Sequence, residues 1–140
     1  MKDIDHSAET EHITLPENRQ PTLRLVAMPT DVNAAGDIFG GWIISQIDIA
    51  GSIEAHRRAQ GRVVTVAVNS VQFHQPVFVG DILSLYAEVI KVGRTSLTVD
   101  VAVFAERARH NGSHIIKVTQ ATLTYVAIGE DRRPRAVPGE

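Results

Sequence analysis

The sequence predicts an α+β fold in which a long antiparallel β-sheet wraps around one central α-helix. Three observations carry the prediction. A single segment of the 140-residue chain has helical periodicity, and it is apolar nearly all round. Every apolar segment after it alternates as strands do, in runs reaching eleven residues, about twice the usual strand length. A flat sheet covers only one side of a helix, so a helix that is apolar on all sides calls for a sheet that curls around it.

Residues 1–21 are polar and aperiodic, with Pro16 and Pro21 near their end, and read as a mobile N-terminal arm. Residues 22–128 form the folded unit, a single domain, and 129–140 (GEDRRPRAVPGE) read as a C-terminal tail of similar character. Within the unit, Thr22–Ala27 is a short strand, followed by a Pro-, Asn- and Gly-rich loop, Met28–Asp37. Gly41–Ala59 is the helix. Its last turn places His56, Arg57 and Arg58 at the negative end of the dipole, and Gly61 is a plausible terminator. A strand follows in which Val64, Val66 and Val68 share one face while Val71 and Phe73 continue on the opposite parity. A bulge is therefore expected near Asn69 and Ser70. Pro76–Asp81 connects to a strand at Ile82–Val92, a turn at Gly93–Thr95 and a strand at Ser96–Glu106 with perfect alternation. A polar loop (RARHNGS) then leads to a last strand, His114–Ile128. This is the hotdog arrangement, whose exposed sheet edges invite pairing with another subunit.

Composition excludes several classes of function. Lys plus Arg number 14 against 16 Asp plus Glu, for a formal charge of −2, and no basic stripe offers a footprint for nucleic acid. The absence of cysteine excludes disulfides, zinc–thiolate sites and cysteine nucleophiles. No apolar run approaches the roughly 18 residues of a membrane helix. The acidic start is the reverse of a signal peptide, so a cytoplasmic location is expected. Neither a phosphate-binding glycine loop nor a G-x-S-x-G elbow is present, and the six histidines show no metal-ligand spacing, so no metal is expected.

Asp48 is the most informative residue. It stands mid-helix among isoleucines 44, 47, 49 and 53, where an ionised carboxylate is expensive unless something answers it. It suits a general base or nucleophile; the alternative is a structural carboxylate held by an amide or an arginine. Gly40 and Gly41 open the helix with N–H groups that lack intrahelical partners, which suits an oxyanion hole, or else merely admits a close neighbour. Gly41 and Asp48 are two turns, about 10 Å, apart along the axis. One reacting carbonyl cannot easily reach both, so the site is expected to combine elements of two subunits. Asn33 could orient water or donate to a carbonyl, or simply form an Asx turn. Asp37 is a candidate cap, Ser45 and Ser52 are helix-surface or packing hydroxyls, and His74 has weak site potential. Lys91, Arg94, Thr95 and Ser96 cluster at one strand turn, and Arg57, Arg58 and Arg62 at the helix exit, where either group could meet phosphates or remain solvated surface.

The stretches AMPTDVNAAGDIFGGWIISQIDIAGS (27–52), VVTVAVNSVQFHQPVFVGD (63–81) and KVGRTS (91–96) resemble the YciA-type, or cytosolic, acyl-CoA thioester hydrolases of the hotdog superfamily. The likeness runs from about Leu23 to Pro138. It implies hydrolysis of acyl-CoA to free acid and CoA with no metal and no cofactor, coenzyme A entering only as part of substrate and product. It also implies Asp48 as the catalytic acid group, Asn33 contributed by a partner subunit, Gly40 and Gly41 as amides facing the thioester carbonyl, and Lys91, Arg94, Thr95 and Ser96 as CoA contacts. Dimers of hotdogs, grouped as trimers of dimers, are the implied assembly. Ala35 departs from the Asn or His of close relatives. Two other functions fit the same fold, an acyl-CoA hydratase or dehydratase and a non-catalytic acyl-CoA-binding module; the absence of a histidine in the helix before His56 counts against the hydratase.

Overall fold

A computed structural model describes residues 13–139. Strand β1 (Leu23–Val26) leads through a 3-10 turn at Pro29–Asp31 to helix α1 (Gly40–Ala59). Strands β2 (Val63–Phe73), β3 (Ile82–Val92), β4 (Ser96–Arg109) and β5 (Gly112–Ala127) follow. The five strands make one antiparallel sheet in the order β1-β3-β4-β5-β2, with β1 and β2 at its edges. Among the described residues no helix is long and apolar enough to cross a membrane. The first twelve residues of the expected arm lie outside the described residues. Of the remainder, Arg19 holds its guanidinium 5.3 Å from the Tyr86 ring centroid.

The strict alternation of β4 is its packing. Leu97, Val99, Val101, Val103 and Ala105 all face α1 and are fully buried, alongside Leu83 and Leu85 of β3 and Leu123 and Tyr125 of β5. Burying each of the larger apolar side chains contributes about 1.5–3 kcal/mol. The helix answers with Ile43, Ile47, Ala50, Gly51, Ala55 and Ala59, a stripe of mostly small residues that lets the sheet come close. At Gly51 the approach is closest, for a Cβ there would strike the Tyr125 hydroxyl and lie 3.1 Å from its Cζ.

The structure corrects four of the sequence expectations. The helix is not enclosed on all sides within one protomer: Ile49 is 46% exposed, and Ile44 and Ile53 are half-buried, because the sheet curls over one side only. The helix ends on Gln60, whose φ of 55° is left-handed and whose N–H donates to the His56 carbonyl; Gly61 instead makes room for the Arg135 guanidinium, which caps the Ala59 carbonyl at 3.0 Å. The expected polar loop at 107–113 is mostly hairpin, with β4 and β5 paired out to Arg109↔Gly112 and Gly112 turning at φ 110°. The tail does not trail away. Arg58 donates to the Pro138 carbonyl at 2.6 Å and the Val137 N–H to that of Arg94 at 2.8 Å.

Strand β2 has the bulge expected near Asn69, between Val68 and Ser70, and a second between Thr65 and Ala67. The face carrying Val64, Val66 and Val68 is exposed at 36%, 55% and 45% on this edge strand.

Candidate active site

Asp48 lies on the side of α1 that meets β2 and β5. It is half-buried, less enclosed than its isoleucine neighbours suggested. Its Oδ1 accepts two hydroxyl hydrogen bonds, from Thr65 at 2.7 Å and from Tyr125 at 3.0 Å, and the Tyr125 hydroxyl is also 2.9 Å from the Asp48 carbonyl oxygen. No arginine, lysine or histidine among the described residues bonds to this carboxylate, so the structural alternative of an arginine-neutralised acid does not apply. Thr65 and Tyr125 are direct cross-strand partners, and the bulge at Val66 begins immediately after Thr65. Burial, followed by the charge and the hydrogen bond of Asp48, pushes the Tyr125 phenol far above its ordinary value, so it remains a protonated donor.

The helix start forms a second cluster. Gly40 and Gly41 follow an N-cap, Phe39, that offers no side-chain cap, and their amides find no acceptor among the described residues. A Cβ on Gly40 would press on the Phe73 ring at 3.3 Å, whereas Gly41 faces open space. Asn33 adopts the expected Asx turn: its Oδ1 accepts from Ala35 N–H at 2.9 Å and Asp37 N–H at 3.1 Å. That commitment orients the side chain and leaves the Nδ2 amide as the free donor. Asp37 is not a helix cap; its carbonyl accepts from Asn33 N–H at 2.7 Å. Asn33, Asp37 and Gly40 line a cleft of about 300 Å³ with Phe73, His74 and Gln75.

Asp48 does not line that cleft. The sheet explains why. Asn33, Gly40 and His74 lie at the end where β2 finishes, while Thr65, Tyr125 and Leu97 share a rung near the opposite end. The β3–β4 turn carrying Lys91, Arg94, Thr95 and Ser96 lies one rung beyond Leu97, with Lys91 and Arg94 exposed and the turn closed by Gly93 N–H to the Ser96 carbonyl at 2.8 Å. One protomer thus holds the carboxylate and the turn at one end and the amide donors at the other. A larger cleft, about 440 Å³, opens between the helix exit and the start of β2, lined by Ser52, Ile53, His56, Arg57, Arg62 and Val63; Arg57 there is paired to Glu54 at 2.9 Å. Ser45 and Ser52 bond back to the Trp42 and Ile49 carbonyls, as expected of helix hydroxyls.

Residues 35–111 match the model of the Thioesterase superfamily. The YciA acyl-CoA thioester hydrolase of Escherichia coli is 45% identical over 119 residues, covering 84% of this chain and 90% of the relative. The chain belongs to this YciA-type acyl-CoA thioester hydrolase family. An uncharacterized acyl-CoA thioester hydrolase of Zymomonas mobilis, another member, is 50% identical over 119 residues, covering 85% of this chain and 78% of its own. Among solved structures, a hexameric hotdog fold thioesterase of Campylobacter jejuni superposes with a TM-score of 0.84 at 46% identity, covering 88% of this chain and 93% of that one. The hotdog fold expected from the sequence is the fold of this family member.

Two residues of the hydrolase's candidate site escaped the sequence reading. Thr65 sits in an alternating valine run, where it reads as the outward member of a strand; its register opposite the buried Tyr125 turns it to the helix and leaves Val64, Val66 and Val68 outward. Tyr125 reads as packing; a buried tyrosine's need for a partner is the signal that could have found it.

Proposed function

We propose that this protein hydrolyses acyl-CoA thioesters to free acid and coenzyme A, at sites each assembled from two protomers, and that it acts in the cytoplasm. The observation that carries the reading is Asp48: a half-buried carboxylate oriented by two hydroxyl donors and neutralised by no cation among the described residues. Its Oδ2 has no hydrogen-bond partner among the described residues and is available to a water.

The end-to-end separation within one protomer supports the shared site. Pairing two copies antiparallel through the β2 edges, where Val64, Val66 and Val68 stand exposed, brings the cleft end of one against the carboxylate end of the other. Three such dimers would give the hexamer named for the Campylobacter jejuni relative. Asp48 of one protomer then faces the Asn33 amide and the helix-start N–H groups of Gly40 and Gly41 from its neighbour. Asp48 takes a proton from water as the water oxygen bonds to the thioester carbon; the oxyanion is held by the amide donors; the C–S bond breaks, and the proton passes to the departing CoA thiolate. Lys91, Arg94, Thr95 and Ser96 meet the CoA phosphates and pantetheine on the same end as Asp48. A thioester has a good leaving group, so the reaction needs no serine or cysteine nucleophile and no cofactor.

Asp48→Asn keeps an oxygen for Thr65 and Tyr125 and leaves the packing intact. Thiol release from acyl-CoA is expected to fall by roughly 10² or more, the scale for losing a general base. Unchanged release would remove the role of Asp48. Hydration of enoyl-CoA without thiol release would mark a hydratase, and CoA-ester binding with no turnover a binding module.

A further inference from the structure

We propose that Tyr125 is a positioning residue for hydrolysis, one that fixes which carboxylate oxygen of Asp48 does the chemistry. The inference deepens the hydrolase reading and rests on it. Two hydroxyl donors, Thr65 at 2.7 Å and Tyr125 at 3.0 Å, converge on the same oxygen, Oδ1. Together they occupy its lone pairs and leave Oδ2 as the oxygen that meets water. The two donors do not play equal parts. Thr65 is exposed on an edge strand, whereas Tyr125 is fully buried in a central one and its hydroxyl lies 2.9 Å from the Asp48 carbonyl as well. Sharing its one proton between Oδ1 and the carbonyl, the phenol ties the side chain of Asp48 to its own backbone, which restricts the side-chain rotation that would exchange Oδ1 for Oδ2. Mere packing would not require this arrangement. The helix gives up a side chain at Gly51, one turn beyond Asp48, and any Cβ there would strike the Tyr125 hydroxyl.

Because the phenol donates to the charged form of the carboxylate, its loss moves catalysis in a definite direction. In the homo-oligomer, Tyr125→Phe is expected to lower kcat about tenfold or more with KM nearly unchanged, and to shift the acid limb of kcat/KM upward by about one pH unit, the scale of one hydrogen bond to a charged group. The groups bonded to Asp48 are Thr65 on β2 and Tyr125 on β5, and the charged or titratable side chains of the facing cleft end, Asp37 and His74, are the same in parent and variant, so a difference between the two limbs reports the carboxylate. An unmoved limb, with or without a loss of rate, overturns the proposal and leaves Tyr125 a packing residue. Should the variant fail to fold, replacing both tyrosines of the chain by fluorotyrosine makes the donor stronger without removing it. The limb should then move down, and an unmoved limb again overturns the proposal; Tyr86, packed edge-on to Phe104 at 5.8 Å between ring centroids, does not touch Asp48. Parent and Asp48→Asn proteins run in the same assay separate the two levels. Full activity of Asp48→Asn sinks the hydrolytic role of the carboxylate, whereas an inactive Asp48→Asn beside an unmoved limb for Tyr125→Phe sinks the positioning role alone.

Discussion

Removing Arg107 should destabilise the protein far more than a residue in a polar, hairpin-like segment normally would. Its guanidinium holds Asp81 through two contacts, Nη2 to Oδ2 at 2.7 Å and Nε to Oδ1 at 3.0 Å, donates to the Pro76 carbonyl at 3.0 Å and lies 4.4 Å from the Phe78 ring centroid. Asp81 is only 2% exposed. With Arg107→Met the carboxylate keeps the Phe78 N–H at 3.0 Å and loses its counterion. Leaving one partner of a buried pair uncompensated costs about 3–5 kcal/mol, and the lost cation–π contact adds about 0.5–1 kcal/mol. For a domain of this size that corresponds to a fall in Tm of about 10–20 °C. Asp81→Asn combined with Arg107→Met removes both charges, so the double variant should recover more than half of the loss. Denaturant melts of the parent, the two single variants and the double variant, at one protein concentration, complete the cycle. A loss below about 1 kcal/mol for Arg107→Met, or a double variant as unstable as the summed singles, would refute the reasoning that a buried charge is what the arginine answers.

Asn33→Asp retains the Oδ1 acceptor of the Asx turn and deletes the Nδ2 donor, so the fold should persist while thiol release falls about 10²–10³-fold; co-assembly of this variant with Asp48→Asn should restore activity, because one of the two shared sites in a mixed dimer is intact, and no recovery would exclude a site spanning protomers. The raised Tyr125 phenol sets an alkaline limit on stability: below about pH 10 both folded and unfolded chains hold the proton, and above it only the unfolded chain releases it, so stability falls by up to about 1.4 kcal/mol per pH unit. Melts between pH 9 and 11 should show a shallower fall for Tyr125→Phe, and identical slopes would contradict the assigned shift.

Period and polarity made much of the fold legible. The helix starts one residue before its expected bound, β3 has its expected bounds, and the alternation of β4 is its burial. What could not be read was set by partners distant in sequence. Arg107 and Asp81 sit in segments that look like a loop and a connection, and only their meeting explains why a hairpin extends there and why Asp81, rather than Asp48, is the fully buried acid. In the candidate site, Asn33, Gly40, Gly41 and Asp48 were visible because a carboxylate mid-helix and paired glycines at a helix start conflict with local preference. Thr65 and Tyr125 agree with local preference, a strand, and their role comes from register alone.

The last described residues act as a strap. Between Gly129 and Gly139 the chain returns across the end of the sheet, giving Arg135 to the carbonyl of Ala59, Val137 to the backbone at Arg94, and the Pro138 carbonyl to Arg58. Two elements distant in sequence, the helix exit and the β3–β4 turn, are fastened by one stretch of backbone. A cut after Ile128 would therefore slacken the turn bearing Lys91 and Arg94 together with the terminus of the helix that carries the carboxylate, coupling the grip on the substrate's handle to the aim of its cutting edge.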